Sequence, residues 1–149
     1  MQQTKDRAII ALEKGKKGET CSEAIMTAFA DVVGIDEKTA RKLSSGLAGG
    51  VGLSGGTCGA LTAACLVLSL KYGPEEITHS YDREQTLGLV HELMERFTVE
   101  FGSTRCKELC KGADLLTAKG HRELRASKQP ERFIFGTAIL LEKIINTHE

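Results

Sequence analysis

The sequence predicts an all-α protein. The expected form is a compact bundle of about six to seven helices around a central apolar helix at 58–72, with a glycine-rich segment before it. Apolar residues recur at helical spacings along most of the chain, alternating β-branched runs are scarce, and Pro74 and Pro130 fall where helices should stop and start.

Ala8, Ile9 and Leu12 mark a first helix that ends near Gly15 and Gly18. Ala24, Ile25, Ala28, Phe29, Val32 and Val33 form the apolar stripe of a second, closed by Gly34. Asp36 is placed to cap a third helix carrying Ala40, Leu43 and Leu47. The stretch from Gly46 to Gly59 is so rich in glycine that its backbone must bend unusually or approach something closely. Leu47, Val51 and Leu53 within it point to packing. From 58 to 72 nearly every side chain is apolar, as expected of a buried helix, and Gly73-Pro74 stops it. A long amphipathic helix at about 82–101 carries Leu87, Val90, Met94, Phe97 and Phe101 on one face, with Gly102 ending it. Ser103 starts a short helix through Cys110, followed by a polar connector with Gly112, Gly120 and His121. The last helix runs from about Pro130, with Ile134, Ala138, Leu141 and Ile145 as its buried stripe. The 149 residues fit a single domain, 1–149, able to bury a core without disulfide staples.

Twenty basic residues balance twenty acidic ones, so no basic field exists to recruit nucleic acid. The longest apolar stretch, Ala60 to Leu70, is too short to span a membrane, and the N-terminal residues lack the apolar segment of an export signal. The expected location is the cytoplasm. There, five cysteines, an odd number, argue against a structural disulfide framework.

The placement of those cysteines is the informative feature. Thr20 and Glu23 have the spacing of a capping box, which makes Cys21 the first residue of its helix. Thr57 is expected to cap the central helix, with Cys58 opening it. Cys106 falls in the first turn of the short helix, between Arg105 and Lys107. Free N–H groups and a partial positive charge at a helix start favour thiolate over thiol, and thiolate is both the nucleophile and the metal ligand. Cys110 lies on the same helix face as Cys106, with Cβ atoms about 5–6 Å apart on an intact helix against about 3.5–4.5 Å in a disulfide, so the two are better placed to share a metal, or for one to pair with a distant cysteine; Cys65 sits mid-helix as a buried hydrophobe.

Gly49-Gly50-Val51-Gly52, then Gly56-Thr57-Cys58-Gly59-Ala60-Leu61-Thr62-Ala63, then Lys71-Tyr72-Gly73, resemble the C_GCAxxG_C_C family, small proteins described as redox-active and named for their cysteine pattern. Cys21 ahead of an alanine-rich helix, and Cys106 after Phe101-Gly102, look like that family too, so the resemblance covers nearly the whole chain. It implies a redox role, without a substrate or a reaction. Two positions depart from the pattern: Ala63 stands where the family has glycine, and Pro130-Glu131-Arg132-Phe133 has no cysteine where the family tends to open the final helix with one. Cys110 is the candidate substitute.

Three readings follow. In a thiol–disulfide redox protein, Cys58 attacks and Cys21 or Cys106 resolves, with a redox partner that the sequence does not name. In a metal-binding module, Cys21, Cys58, Cys106 and Cys110 converge on zinc or an iron–sulfur cluster. In a helical interaction protein the thiols are incidental. Close glycine packing and an exposed bundle edge are compatible with a homodimer. No Cys-x-x-Cys occurs, so thioredoxin-like and zinc-ribbon chemistry have no motif here. His91 is expected at the edge of the core, and His79 and His121 in solvated connectors.

Overall fold

In a computed structural model, which describes residues 2–148 and side chains from residue 6, the protein is all-α. Eight α-helices occur among the described residues: α1 (Gln2–Lys16), α2 (Cys21–Ala28), α3 (Glu37–Ser44), α4 (Gly59–Tyr72), α5 (Glu84–Phe101), α6 (Cys106–Leu109), α7 (Ala118–Ser127) and α8 (Gln129–Thr147). Short 3₁₀ turns at Asp31–Val33, Ser45–Leu47 and Ser80–Arg83 join some of them.

The three N-terminal helices form, but Ile9 on α1 and Leu43 on α3, both read as apolar-stripe residues, are exposed, and α3 stops at Ser44, short of Leu47. Ala8 and Ala11 turn the small face of α1 into the core beside α8. Thr20 caps α2 through a complete capping box with Glu23, so Cys21 does open that helix. α2 stops at Ala28, earlier than its apolar stripe predicts, because the chain turns into the 3₁₀ segment before Gly34 (φ 73°) reverses it. Arg7 holds this corner, donating to both carboxylate oxygens of Asp31 (2.8 and 2.9 Å) and to the Ala28 carbonyl. Asp36 caps α3 by accepting from the Thr39 amide. The Ser22 hydroxyl donates to the Ser44 carbonyl at 2.8 Å and fixes α3 to α2.

α4 packs against α2, α5 and α8. Ala60, Leu61, Ala63, Ala64, Val67 and Leu68 are buried, Thr62, Cys65 and Leu66 are half-buried, and Leu70 near its end is exposed. On α5 the buried face is Thr86, Leu89, Leu93 and Phe97. Leu87, expected on that face, is 62% exposed, and Val90 and Met94 sit at its edge. His91, expected at the core edge, is exposed and pairs with Glu95 one turn on. α8 buries Ile134, Ala138, Leu141 and Ile145 as its spacing predicts. Gly136 lets α8 slide beneath Phe101, since a Cβ there would stand 2.4 Å from that ring. The connector read as polar and irregular instead holds α7, capped by Thr117.

The glycine-rich segment is built on an uncommon backbone. Gly49, Gly50, Val51, Gly52 and Leu53 all have positive φ, between 57° and 70°. Left-handed backbone costs a residue with a side chain about 1–2 kcal/mol, which explains why glycines dominate the run. The turn closes on itself through Val51 N–H to the Leu47 carbonyl, Gly52 N–H to Gly46 and Leu53 N–H to Ala48. It then runs antiparallel to the start of α6. Thr57 and Arg105 pair as an isolated β-bridge. Cys58 N–H donates to the Thr104 carbonyl (2.8 Å), Cys106 N–H to Gly56 and Lys107 N–H to Gly55 (3.1 Å).

Gly50 is where this packing is tightest. A Cβ there would lie 2.5 Å from the Gly56 nitrogen and 2.9 Å from Cys106 Cβ, on a backbone already at φ 70°. Gly50→Ala should therefore destabilise the fold by about 3 kcal/mol, combining left-handed strain with a backbone clash. Urea unfolding would register it as a lower midpoint at constant slope. A midpoint equal to the parent's would mean that the turn relaxes freely.

Candidate functional site

Three loop–helix junctions meet around one cavity of about 500 Å³. The turn from α1 to α2 brings Cys21, the glycine-rich segment brings Cys58, and α6 brings Cys106 and Cys110. All four cysteines line the cavity. Cys65 does not; it lies partly buried on α4, where burial pushes its thiol up to about 11. All five cysteines are free thiols.

Cys21 is the first residue of α2, half-buried, with its sulfur 3.8 Å from the Pro130 carbonyl oxygen. Burial raises its pKa well above the ordinary thiol value, and the nearby Cys58 and Cys106 add to the rise. Cys58 is not the first residue of α4 but its N-cap, and Thr57, the expected cap, is engaged in the β-bridge instead. Burial again prevails and pushes Cys58 up to about 11, although the amides of Leu61 and Ala60 at the helix start pull the other way.

Cys106 differs. It opens the single turn of α6, and Cys110 is that turn's C-cap. Their sulfurs stand 3.4 Å apart, closer than the spacing of two Cβ atoms on a regular helix face requires. The hydrogen bond from the Cys110 thiol lowers the Cys106 pKa below the ordinary value, outweighing burial. The same bond, with burial and the neighbouring sulfurs, raises Cys110. Of the two thiols, Cys106 is thus the one biased toward ionisation and Cys110 the one biased toward keeping its proton.

The rest of the lining comes from places the sequence reading left unassigned. Leu115, His121, Leu124 and Arg125 form the α7 side, Lys16, Lys17 and Glu19 the α1–α2 turn, and Glu131, Phe133 and Ile134 the start of α8. His121 is exposed, as expected of a connector, but its Nε2 also meets the Leu115 carbonyl. The signal for this wall lay in Thr117 and Gly120, whose hydroxyl–amide capping bond at 3.0 Å starts α7.

Among the described residues, no three histidine, cysteine, aspartate or glutamate side chains converge where they could hold a metal ion. The four thiols line a common space without forming a cage. No helix among the described residues is long and apolar enough to cross a membrane.

If the Cys110 thiol is what lowers Cys106, then Cys110→Ala leaves burial as the governing influence. The alkylation of Cys106 by iodoacetamide, followed by mass spectrometry across pH, should shift its midpoint upward by about 1 unit or more. An unmoved midpoint would exclude the hydrogen bond as the cause.

The family model described as "Putative redox-active protein (C_GCAxxG_C_C)" matches residues 19–144. No curated protein and no solved structure matches the chain.

Proposed function

The chain belongs to the C_GCAxxG_C_C family of redox-active proteins, and from that premise we propose that it is a thiol–disulfide redox protein whose working pair is Cys106 and Cys110. The observation that supports this most directly is the 3.4 Å separation of the two sulfurs, with the thiol of one donating to the other. Cys106 takes the attacking role that the sequence reading gave to Cys58, because Cys58 is the more buried of the two and its pKa is raised where that of Cys106 is lowered.

The chemistry balances without a cofactor. The Cys106 thiolate attacks one sulfur of a substrate disulfide, forming a mixed disulfide and releasing the other sulfur as a thiolate, which takes up a proton. Cys110, giving up its own proton, then attacks the Cys106 sulfur and expels the second substrate thiolate. Two cysteines have been oxidised to a disulfide, and one substrate disulfide has been reduced to two thiols. A dithiol reductant runs the same steps backwards and restores the pair.

The geometry places little in the way of closure. A disulfide needs sulfurs about 2.05 Å apart, so the pair must close by about 1.4 Å from its present 3.4 Å. α6 is one turn long, and Cys110 lies at its frayed end, so the closure distorts one backbone bond, Cys110 N–H to the Cys106 carbonyl at 2.8 Å. Cys58 and Cys21 share the cavity and stand ready as further thiols once Cys106 is oxidised.

Mild oxidation of the reduced protein should remove two free thiols and link Cys106 to Cys110 in a single peptide after digestion. Cys106→Ser and Cys110→Ser should each abolish that link. Full retention of free thiols in the parent protein under the same oxidant would sink the reading.

A further inference from the structure

Resting on the dithiol reading above, we infer that the cavity receives a small disulfide carrying a carboxylate, and that Lys17 and Arg125 at its rim bind that carboxylate. Size favours a small molecule over a protein. Cys106 and Cys110 are only 8% and 9% exposed and line the cavity, which favours a small disulfide that can enter it over one held in a folded protein surface. About 500 Å³ lies within the range of small-ligand sites, roughly 300–1,000 Å³.

Charge selects the anion. The cavity is lined by Lys16, Lys17, His121 and Arg125 against Glu19 and Glu131. Glu19 is already engaged, accepting from Arg41 at 2.9 Å and lying 3.9 Å from Lys14. Lys16 faces Glu13 at 3.7 Å. Lys17, Arg125 and Glu131 form no ion pair among the described residues, which leaves two cations against one carboxylate on the lining, and the two cations come from different elements, the α1–α2 turn and α7. The starts of α2 and α4 open onto the same space and add positive potential. Between rim and sulfurs, Leu115, Leu124 and Ile134 offer an apolar wall for a short carbon chain.

In the reaction, the bound disulfide is reduced to two thiols while Cys106 and Cys110 are oxidised to a disulfide. Three symmetrical probes of matched chain length test the selection: 3,3′-dithiodipropionate (anionic), 2-hydroxyethyl disulfide (neutral) and cystamine (cationic). Oxidation of the reduced protein is followed by quenching and mass spectrometry. Each rate is divided by that of the same probe with dithiothreitol, which removes differences in leaving-group chemistry.

The expected order is anionic, then neutral, then cationic, with the anionic advantage falling as salt rises. The double substitution Lys17→Gln/Arg125→Gln should shrink the ratio of anionic to neutral rates by about tenfold. Native-like helical circular dichroism of the variant would show that it is folded. Equal normalised rates for all three probes, or a ratio the substitutions leave unmoved, would overturn the anion site while leaving the dithiol reading standing. Faster oxidation by a disulfide-bonded protein such as oxidised insulin than by any of the three would overturn the small-molecule inference alone. No Cys106–Cys110 disulfide with any oxidant would overturn the dithiol reading itself, and this inference with it.

Discussion

Everything at the site depends on a short backbone clamp. The segment 55–58 and the segment 104–107 exchange hydrogen bonds through Cys58, Cys106 and Lys107, and the Thr57–Arg105 bridge marks its centre. These groups are far apart along the chain, and α6, a single turn, adds only Cys106 and Leu109 to the packing that holds them together. Backbone amides and carbonyls that leave regular helices must find partners when water is excluded, and here they find each other. The left-handed turn at 49–53 supplies the shape that makes this exchange fit, since Gly50 stands so close to Gly56 and Cys106 that only a hydrogen can occupy its side-chain position. Strain in the turn is thereby converted into the positioning of two sulfurs.

The site also shows how competing influences on a thiol are decided by size. A helix start stabilises a negative charge by about 0.3–1 kcal/mol, up to roughly 2 in sheltered geometries. Full burial can raise an acid's pKa by about 3–5 units, each unit being about 1.4 kcal/mol. Cys21 and Cys58 meet both effects, and both end above the ordinary thiol value. Cys106 is also buried, but Cys110 donates a hydrogen bond directly to it, and a bond at contact distance outweighs a diffuse dipole. Helix position is thus one influence on a thiol among several, and burial and a neighbouring sulfur are the larger ones here.

Much of the fold could be read from residue spacing, because most helices here declare themselves by caps and stripes. Thr20, Asp36 and the stripe from Ile134 to Ile145 all do what their chemistry predicts. The errors have physical causes. α7 was missed because its ten residues bury little besides Gly120, so no apolar stripe announces it. Leu87 misled because α5 turns a different edge inward, one that includes Thr86. Cys58 was placed one position too far into its helix because Thr57 has the chemistry of a cap but spends its backbone on the bridge to Arg105. The gathering of four cysteines around one space followed from neither periodicity nor capping. A β-bridge between a glycine-rich turn and a one-turn helix has no sequence pattern, and the resemblance to a family was the sole signal for it.

The clamp and the dithiol are not independent on the proposed reading. Cys106 is held at both ends of its own residue, by its amide on Gly56 and by the close contact of its Cβ with Gly50, whereas Cys110 is the C-cap of a single turn followed by Lys111 and Gly112, both at positive φ. When the two sulfurs draw together, the less constrained partner must travel. Cys110 leads through Ala113 and Asp114 to Leu115, which packs with Cys106 and Cys110 in a small apolar cluster and whose carbonyl meets His121. On this reading Leu115 is the link through which a shift of Cys110 would reach the α7 wall, while the backbone bonds of Cys106 tie it to the glycine-rich wall.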